Sequence, residues 1–222
     1  MLETKLQGEQ LILDAEKAIY WPRRKALLLA DLHLGKAEHF RREGLPVPMA
    51  IRTKNLERID GLLKKYIPER VIFLGDLFHS LHNHSWTVFC DFLKKRSTIS
   101  FELVIGNHDI LTDADYQEAG LILHEEPYLQ APFILSHHPQ EEILDGYYNL
   151  YGHVHPCVYL EGLGKQYMRV PCFHFGKYHG VLPAFGEFTG MAKMETVEGD
   201  RVFIAVAPQL ATETGIIKQV SF

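Results

Sequence analysis

The chain has little cysteine and no spacing that would put it to use. Cys90, Cys157 and Cys172 are odd in number and far apart, and no Cys-x-x-Cys occurs, which excludes a cysteine-built zinc site and a redox pair. They read as reduced, mostly buried thiols. Apolar runs such as Ala26 to Ala30 fall far short of a bilayer's thickness. Met1 to Tyr20 carries Glu3, Lys5, Glu9, Asp14, Glu16 and Lys17, so it lacks the apolar centre of a signal peptide. Cytoplasm is the expected compartment, with no membrane contact, and the Asn83-His84-Ser85 sequon is then accidental. An excess of positive charge is missing too: 23 Lys and Arg stand against 28 Asp and Glu, a net charge of −5. That excludes wholesale coating of nucleic acid and leaves only a local basic patch for such contacts. Among catalytic signatures there is no G-x-S-x-G elbow, no Walker A lysine in context and no strand-linked G-x-G-x-x-G. Gly162-Leu163-Gly164-Lys165 reads as a hairpin turn. Internal repeats and low-complexity tracts are absent as well.

What is present is an ordinary globular composition, 46% hydrophobic and 23% charged over 222 residues, which excludes disorder and coiled coil. That length suits one domain over residues 1–222. Lys25 to Ala30, Arg70 to Leu74 and Glu102 to Ile105 are short apolar runs ending in polar turns, as buried strands do. Between the first two, Ile51, Leu56, Ile59, Leu62 and Leu63 mark one face of a helix over Ala50 to Tyr66; Trp86, Phe89, Cys90 and Leu93 mark a second helix. Alternating strands and helices imply a largely parallel sheet with its chemistry at the carboxyl ends. After about residue 120 the pattern becomes short strands: Leu121–His124, Phe133–Ser136, Tyr148–Tyr151, Cys157–Tyr159, Met168–Val170 and Phe203–Ala207. With no linker between the halves, two packed sheets flanked by helices are expected.

Histidine is in excess, at 13 residues, and its placement matters more than its count. Five polar clusters follow predicted strands: Asp31-Leu32-His33, Gly75-Asp76, Gly106-Asn107-His108-Asp109, Ser136-His137-His138 and Gly152-His153-Val154-His155. A lone histidine after a strand is ordinarily a hydrogen-bonded structural residue. Five such clusters at one sheet edge are the pattern of a metal site, with alternating Asp-x-His and His-x-His directing both side chains to one side of an extended chain. Without cysteine, structural zinc is disfavoured; with imidazole outnumbering carboxylate, so is calcium. Mixed imidazole, carboxylate and amide oxygen suit manganese, iron or zinc in an open catalytic site.

The order D-x-H, G-D, G-N-H-D, H, G-H-x-H over Asp31 to His155 resembles the calcineurin-like metallophosphoesterases. The resemblance implies an α/β fold, a four-layer α/β/β/α sandwich, and two divalent metal ions. It assigns Asp31, His33, Asp76 and His155 to one cation, and Asp76, Asn107, His137 and His153 to the other, with Asp76 as the bridge. A carboxylate suits the bridging position because each oxygen can hold one cation, and water between the two would lose a proton and attack phosphorus. His108 would stay off the metals and serve the phosphoryl oxygen or the leaving group, with Asp109 orienting it. His138, next to a ligand, is expected to be supporting or structural, and His79 either touches substrate or is merely solvated.

That superfamily spans phosphatases, cyclic-nucleotide phosphodiesterases, lipid pyrophosphatases and nucleases. The blocks Gly75 to Ser80, Ser136-His137-His138-Pro139, Gly152 to Pro156, Pro171 to Phe175 and Leu182 to Gly190 resemble the bacterial ligase-associated DNA damage response endonucleases. This implies a DNA endonuclease in repair, a DNA partner and an association with a DNA ligase system. A small-molecule phosphodiesterase or phosphatase is the alternative. A metal-stabilised scaffold is less favoured, since every ligand position is filled. Lys36 to Arg70 carries nine basic and five acidic residues, a local +4. Lys36, Arg41 and Arg42, just after the Asp31 loop, are the candidate phosphate contacts; the helical remainder reads equally as a solvated face. Leu182 to Gly190 is expected to be an ordered loop near the site or a cap on the core.

Overall fold

A computed structural model describes residues 1–36, 51–79, 83–161, 166–187, 189–208 and 213–221, with 51 and 52 described by backbone only. One sheet is built from β1 (Leu2–Leu6), β2 (Glu9–Asp14), β3 (Ala18–Trp21), β4 (Ala26–Ala30), β5 (Arg70–Leu74), β6 (Ser100–Val104) and β7 (Leu121–His124), in that spatial order. β4 to β7 are parallel, with α1 (Ile51–Tyr66), α2 (His84–Lys94) and α3 (Asp113–Glu118) in the connections. The expected largely parallel sheet needs correction at its start, because β1 to β4 form an antiparallel meander. Its first turn, Gln7-Gly8, has φ of 49° and 79°, the positive pair that matches strand twist in a tight hairpin. α3 was also not expected, although Thr112 and Asp115 cap it reciprocally.

β4 explains why these strands read as unbroken apolar runs. Leu27 and Leu29 face the helices, packing with Leu56, Ile59, Leu62 and Phe89, while Ala26, Leu28 and Ala30 face the other sheet. β5 divides in the same way, Val71 and Phe73 against Ile72 and Leu74. A strand covered on both faces has no position left for a polar side chain.

The other sheet comprises β8 (Tyr128–Gln130), β9 (Phe133–Ser136), β10 (Tyr148–Tyr151), β11 (Pro156–Glu161), β12 (Tyr167–Phe175), β13 (His179–Val181), β14 (Ala192–Lys193), β15 (Arg201–Val206) and β16 (Ile216–Val220). Phe133, Leu135, Leu150, Phe173, Phe175 and Phe203 pack across the interior onto the first sheet. The α/β architecture of two packed sheets is the expected one. Among the described residues every helix precedes Gly120, so the described layers are helix, sheet and sheet; Val158, Val170, Cys172, Val202 and Ile204 form a small cluster on the outer side of the second sheet. The three cysteines form no disulfide. No described helix is long and apolar enough to cross a membrane.

Candidate metal centre

All five polar clusters lie where β4, β5, β6, β9 and β10 end. The loops after β4 and β5 continue side by side: His33 N–H donates to Asp76 O (2.8 Å), Leu34 N–H to Leu77 O (2.9 Å) and His79 N–H to Leu34 O (3.0 Å). The expected extended alternation is not what aims the side chains. Asp31, His33, Asp76, His153 and His155 have φ of 52°, 48°, 51°, 66° and 54°, a left-handed backbone costing about 1–2 kcal/mol per residue that surrounding hydrogen bonds must hold in place. One such bond is local to the site, with His153 N–H 3.0 Å from both Asp31 carboxylate oxygens.

Two donor groups sharing Asp76 result, and His138 lies close to His137 and His153 at the edge of the second. In one, His33 Nε2 lies 3.3 Å from His155 Nε2 and 3.7 Å from Asp76 Oδ2, and His155 Nε2 lies 3.6 Å from Asp31 Oδ1. In the other, His137 Nε2 lies 2.9 Å from Asn107 Oδ1, 3.3 Å from Asp76 Oδ1 and 3.1 Å from His153 Nδ1. Asp76 touches both groups. Close backbone approach makes this possible: a Cβ on Gly75 would sit 2.2 Å from His137 Nδ1, and one on Gly152 would sit 2.8 Å from Asp31 Oδ2.

The donors fit cations. His137 Nδ1 is 3.2 Å from Leu74 O and His155 Nδ1 is 3.2 Å from Gly190 O. A carbonyl only accepts, so each Nδ1 carries a hydrogen and Nε2 is the nitrogen left to present a lone pair to a cation, the arrangement typical of metal-bound imidazole. His137 Nε2, Asn107 Oδ1 and Asp76 Oδ1, each able to offer a lone pair, then face one another. Burial, followed by the nearby Lys36 and histidines, pushes His33 down to about 2, which keeps it neutral. Burial likewise lowers His153, assisted by His137 and His138.

Around these groups, the His108 ring is 4.2 Å from the His79 ring and 5.8 Å from the His33 ring; His79 is 5.2 Å from His33. His79 therefore belongs with the site and not with open solvent. Half-buried Lys36 has its ammonium pKa lowered by burial, against an opposing pull from the Asp76 carboxylate. Arg41 and Arg42 lie outside the described residues. Asp109 does something other than the expected orientation of His108. Its Oδ1 accepts from Leu77 N (2.8 Å) and Phe78 N (3.1 Å) and its Oδ2 from Gly106 N (2.9 Å), so the carboxylate ties the Asp76 loop to the Asn107 loop. Burial raises it to about 7 despite these bonds. His108 instead uses its backbone N–H, 3.0 Å from Asp76 Oδ1. The tail loop serves both expected purposes: Phe185 is buried in the core, while Phe185 N–H and Gly186 N–H hold Ala30 O (2.8 Å) and Asp31 O (3.1 Å).

The described basic side chains from Lys54 to Arg70 are ion-paired within the chain. Lys54 and Arg58 pair with Glu187, Arg58 also with Glu16, Lys64 with Asp60, Lys65 with Asp14 and Arg70 with Glu102. Sequence reasoning missed Glu126, which reaches the site from the β7–β8 turn. Partial burial pushes its carboxyl up, but His138 and the backbone N–H groups of His137 and His138 outweigh that and hold it below its ordinary value. No local pattern in Glu125-Glu126-Pro127 signals this contact.

Residues 24–198 match the family model for calcineurin-like phosphoesterases. The chain belongs to that family. This calcineurin-like phosphoesterase is accordingly a metal-dependent hydrolase of phosphate esters. Its structure is similar to the crystal structure of Pseudomonas putida nuclease MPE, with 33% identity, coverage of 92% of this chain and 96% of that one, and a TM-score of 0.80. A phosphoesterase from E. coli, Yfce, aligns at 15% identity over 81% of this chain and 86% of that one, with a TM-score of 0.43. No curated protein sequence matches this calcineurin-like phosphoesterase.

Proposed function

We propose that this phosphoesterase is a two-metal phosphodiesterase that cleaves DNA. The observation that carries the reading is the pair of donor groups sharing Asp76. Asp31, His33, Asp76 and His155 would hold one divalent cation and Asp76, Asn107, His137 and His153 the other, a donor set that suits manganese, iron or zinc. When bound, the pair supplies positive charge against the phosphoryl oxygens and acidifies a water. The chain's own residues do the rest. Exposed His108, beside His79, donates to a phosphoryl oxygen or protonates the leaving oxygen. Lys36 holds a substrate phosphate. Asp109, by joining two loops through three backbone N–H groups, keeps Asp76 and Asn107 in register.

DNA as substrate is supported by the 33% identity to a nuclease over nearly the whole chain and by the tail segments from Pro171 to Gly190. A repair setting and a ligase partner rest on the family resemblance alone. One observation favours a small-molecule phosphodiesterase instead: Lys54, Arg58, Lys64 and Lys65 of α1 and Arg70 of β5 are ion-paired, which weakens the case for a phosphate track there. Turnover with manganese on p-nitrophenyl phosphate, bis-p-nitrophenyl phosphate, a cyclic nucleotide, and single- and double-stranded DNA decides between them. Nicking of DNA that weakens with salt is expected. Combined Lys36→Ala, Arg41→Ala and Arg42→Ala should lower DNA turnover far more than that of the small diester. Cyclic-nucleotide hydrolysis without any nicking would establish the second reading.

A further inference from the structure

Glu126 makes three contacts at one edge of the site. Its Oε2 accepts the backbone N–H of His137 (2.7 Å) and of His138 (2.9 Å), and its Oε1 lies 2.6 Å from His138 Nδ1. The turn that carries it is anchored from below. His124 and Tyr128, two residues to either side, stack with ring centroids 3.7 Å apart. Both reach Glu102 Oε2, His124 Nε2 at 2.9 Å and Tyr128 Oη at 3.2 Å. Glu102 is itself buried, and Arg70 donates to both of its oxygens at 2.6 and 2.9 Å. The carboxylate is thus presented by a cross-strand ionic scaffold and not by a free turn.

His137 is held at three points. Glu126 holds its N–H, Gly152 N–H holds its carbonyl at 3.2 Å, and Leu74 O holds Nδ1 at 3.2 Å. With those three fixed, Nε2 has one direction left, toward Asn107, Asp76 and His153. A carboxylate accepting backbone N–H groups makes stronger bonds than a neutral acceptor would, so of the three holds this is the stiffest.

We propose that Glu126 is a positioning residue for the second cation, acting through the backbone of His137. This deepens the two-metal reading and rests on it. Residues that orient metal ligands typically change metal affinity about 10–100-fold when removed, and that is the loss expected at one of two sites in Glu126→Ala.

The test measures manganese binding by calorimetry and by electron paramagnetic resonance, with the melting temperature of the metal-free protein as a folding control. Wild-type protein should bind two ions. Glu126→Ala should keep one affinity and lose the other. Glu126→Gln should restore the second site, because one amide oxygen can accept both N–H groups as Oε2 does. His138→Ala should bind both ions like wild type, since it leaves both backbone contacts in place. Glu126→Asp, one methylene shorter, decides the matter if the alanine variant does not fold, and should also lose affinity at one site. Unchanged affinities in Glu126→Ala or Glu126→Asp overturn the proposal, as does a His138→Ala loss matching that of Glu126→Ala, or a Glu126→Gln that rescues nothing. A wild-type stoichiometry below two overturns the two-metal reading itself.

Discussion

His33 and His155, 122 residues apart in the chain, meet Nε2 to Nε2 at 3.3 Å, and His155 has already committed its Nδ1 hydrogen to Gly190 O. Two inward-facing imidazole nitrogens beside two carboxylates are relieved by a cation. Manganese should therefore raise the melting temperature and chelation should lower it, by about 2.7 kcal/mol of stability at a hundredfold excess over the dissociation constant. A scan that is identical with and without metal would contradict this.

Asp76 touches both donor groups, so its loss should remove metal and activity together. Asp76→Ala is expected to be inactive on bis-p-nitrophenyl phosphate and to bind fewer than two ions by elemental analysis. Full turnover by a metal-free preparation of the wild type would refute the assignment.

His108 should behave differently, because its ring stands beside the donor groups without joining them. His108→Ala should retain both ions while kcat falls by about 10²–10³, the usual effect of losing a positioned acid or oxyanion donor. Metal loss in this variant would mean that His108 is a ligand.

Gly75 has φ of 73°, and a Cβ there would meet His137 Nδ1 at 2.2 Å. Gly8 has φ of 79° but open space around it. Both alanine variants incur about 1–2 kcal/mol of left-handed strain. Only Gly75→Ala should also abolish metal-dependent turnover, and equal turnover in the two variants would contradict the close approach.

Lys17 is buried beside Arg58 and Gly186, and burial brings its ammonium down from 10.5 to about 7. The folded state therefore binds fewer protons than the unfolded state between about pH 7 and pH 10.5, so stability rises with pH across that window. At roughly 1.4 kcal/mol per unit, the effect has an upper bound of roughly 4–5 kcal/mol. Lys17→Met should raise the melting temperature near pH 7 and lose that advantage toward pH 10. A gap independent of pH would show that the ammonium is not desolvated.

Donor types and their places at strand ends were legible in the sequence, because a strand buried on both faces is an apolar run and the polar residues after it stand out. Arg70–Leu74, Leu121–His124, Phe133–Ser136 and Tyr148–Tyr151 have the boundaries expected of them. The meander β1 to β3 was not legible, since strands of four to six residues are too short to carry much periodic signal. Charge counting over Lys36 to Arg70 suggested a basic surface, but it cannot see Glu16, Asp14, Glu102 and Glu187, which arrive from other elements to neutralise it. Ligand chemistry is a property of residue type and so is written locally. The meeting of His33 with His155, the left-handed turns at Asp31 and Asp76, and the grip of Glu126 on His137 depend on which strands lie side by side, and only the tertiary structure decides that.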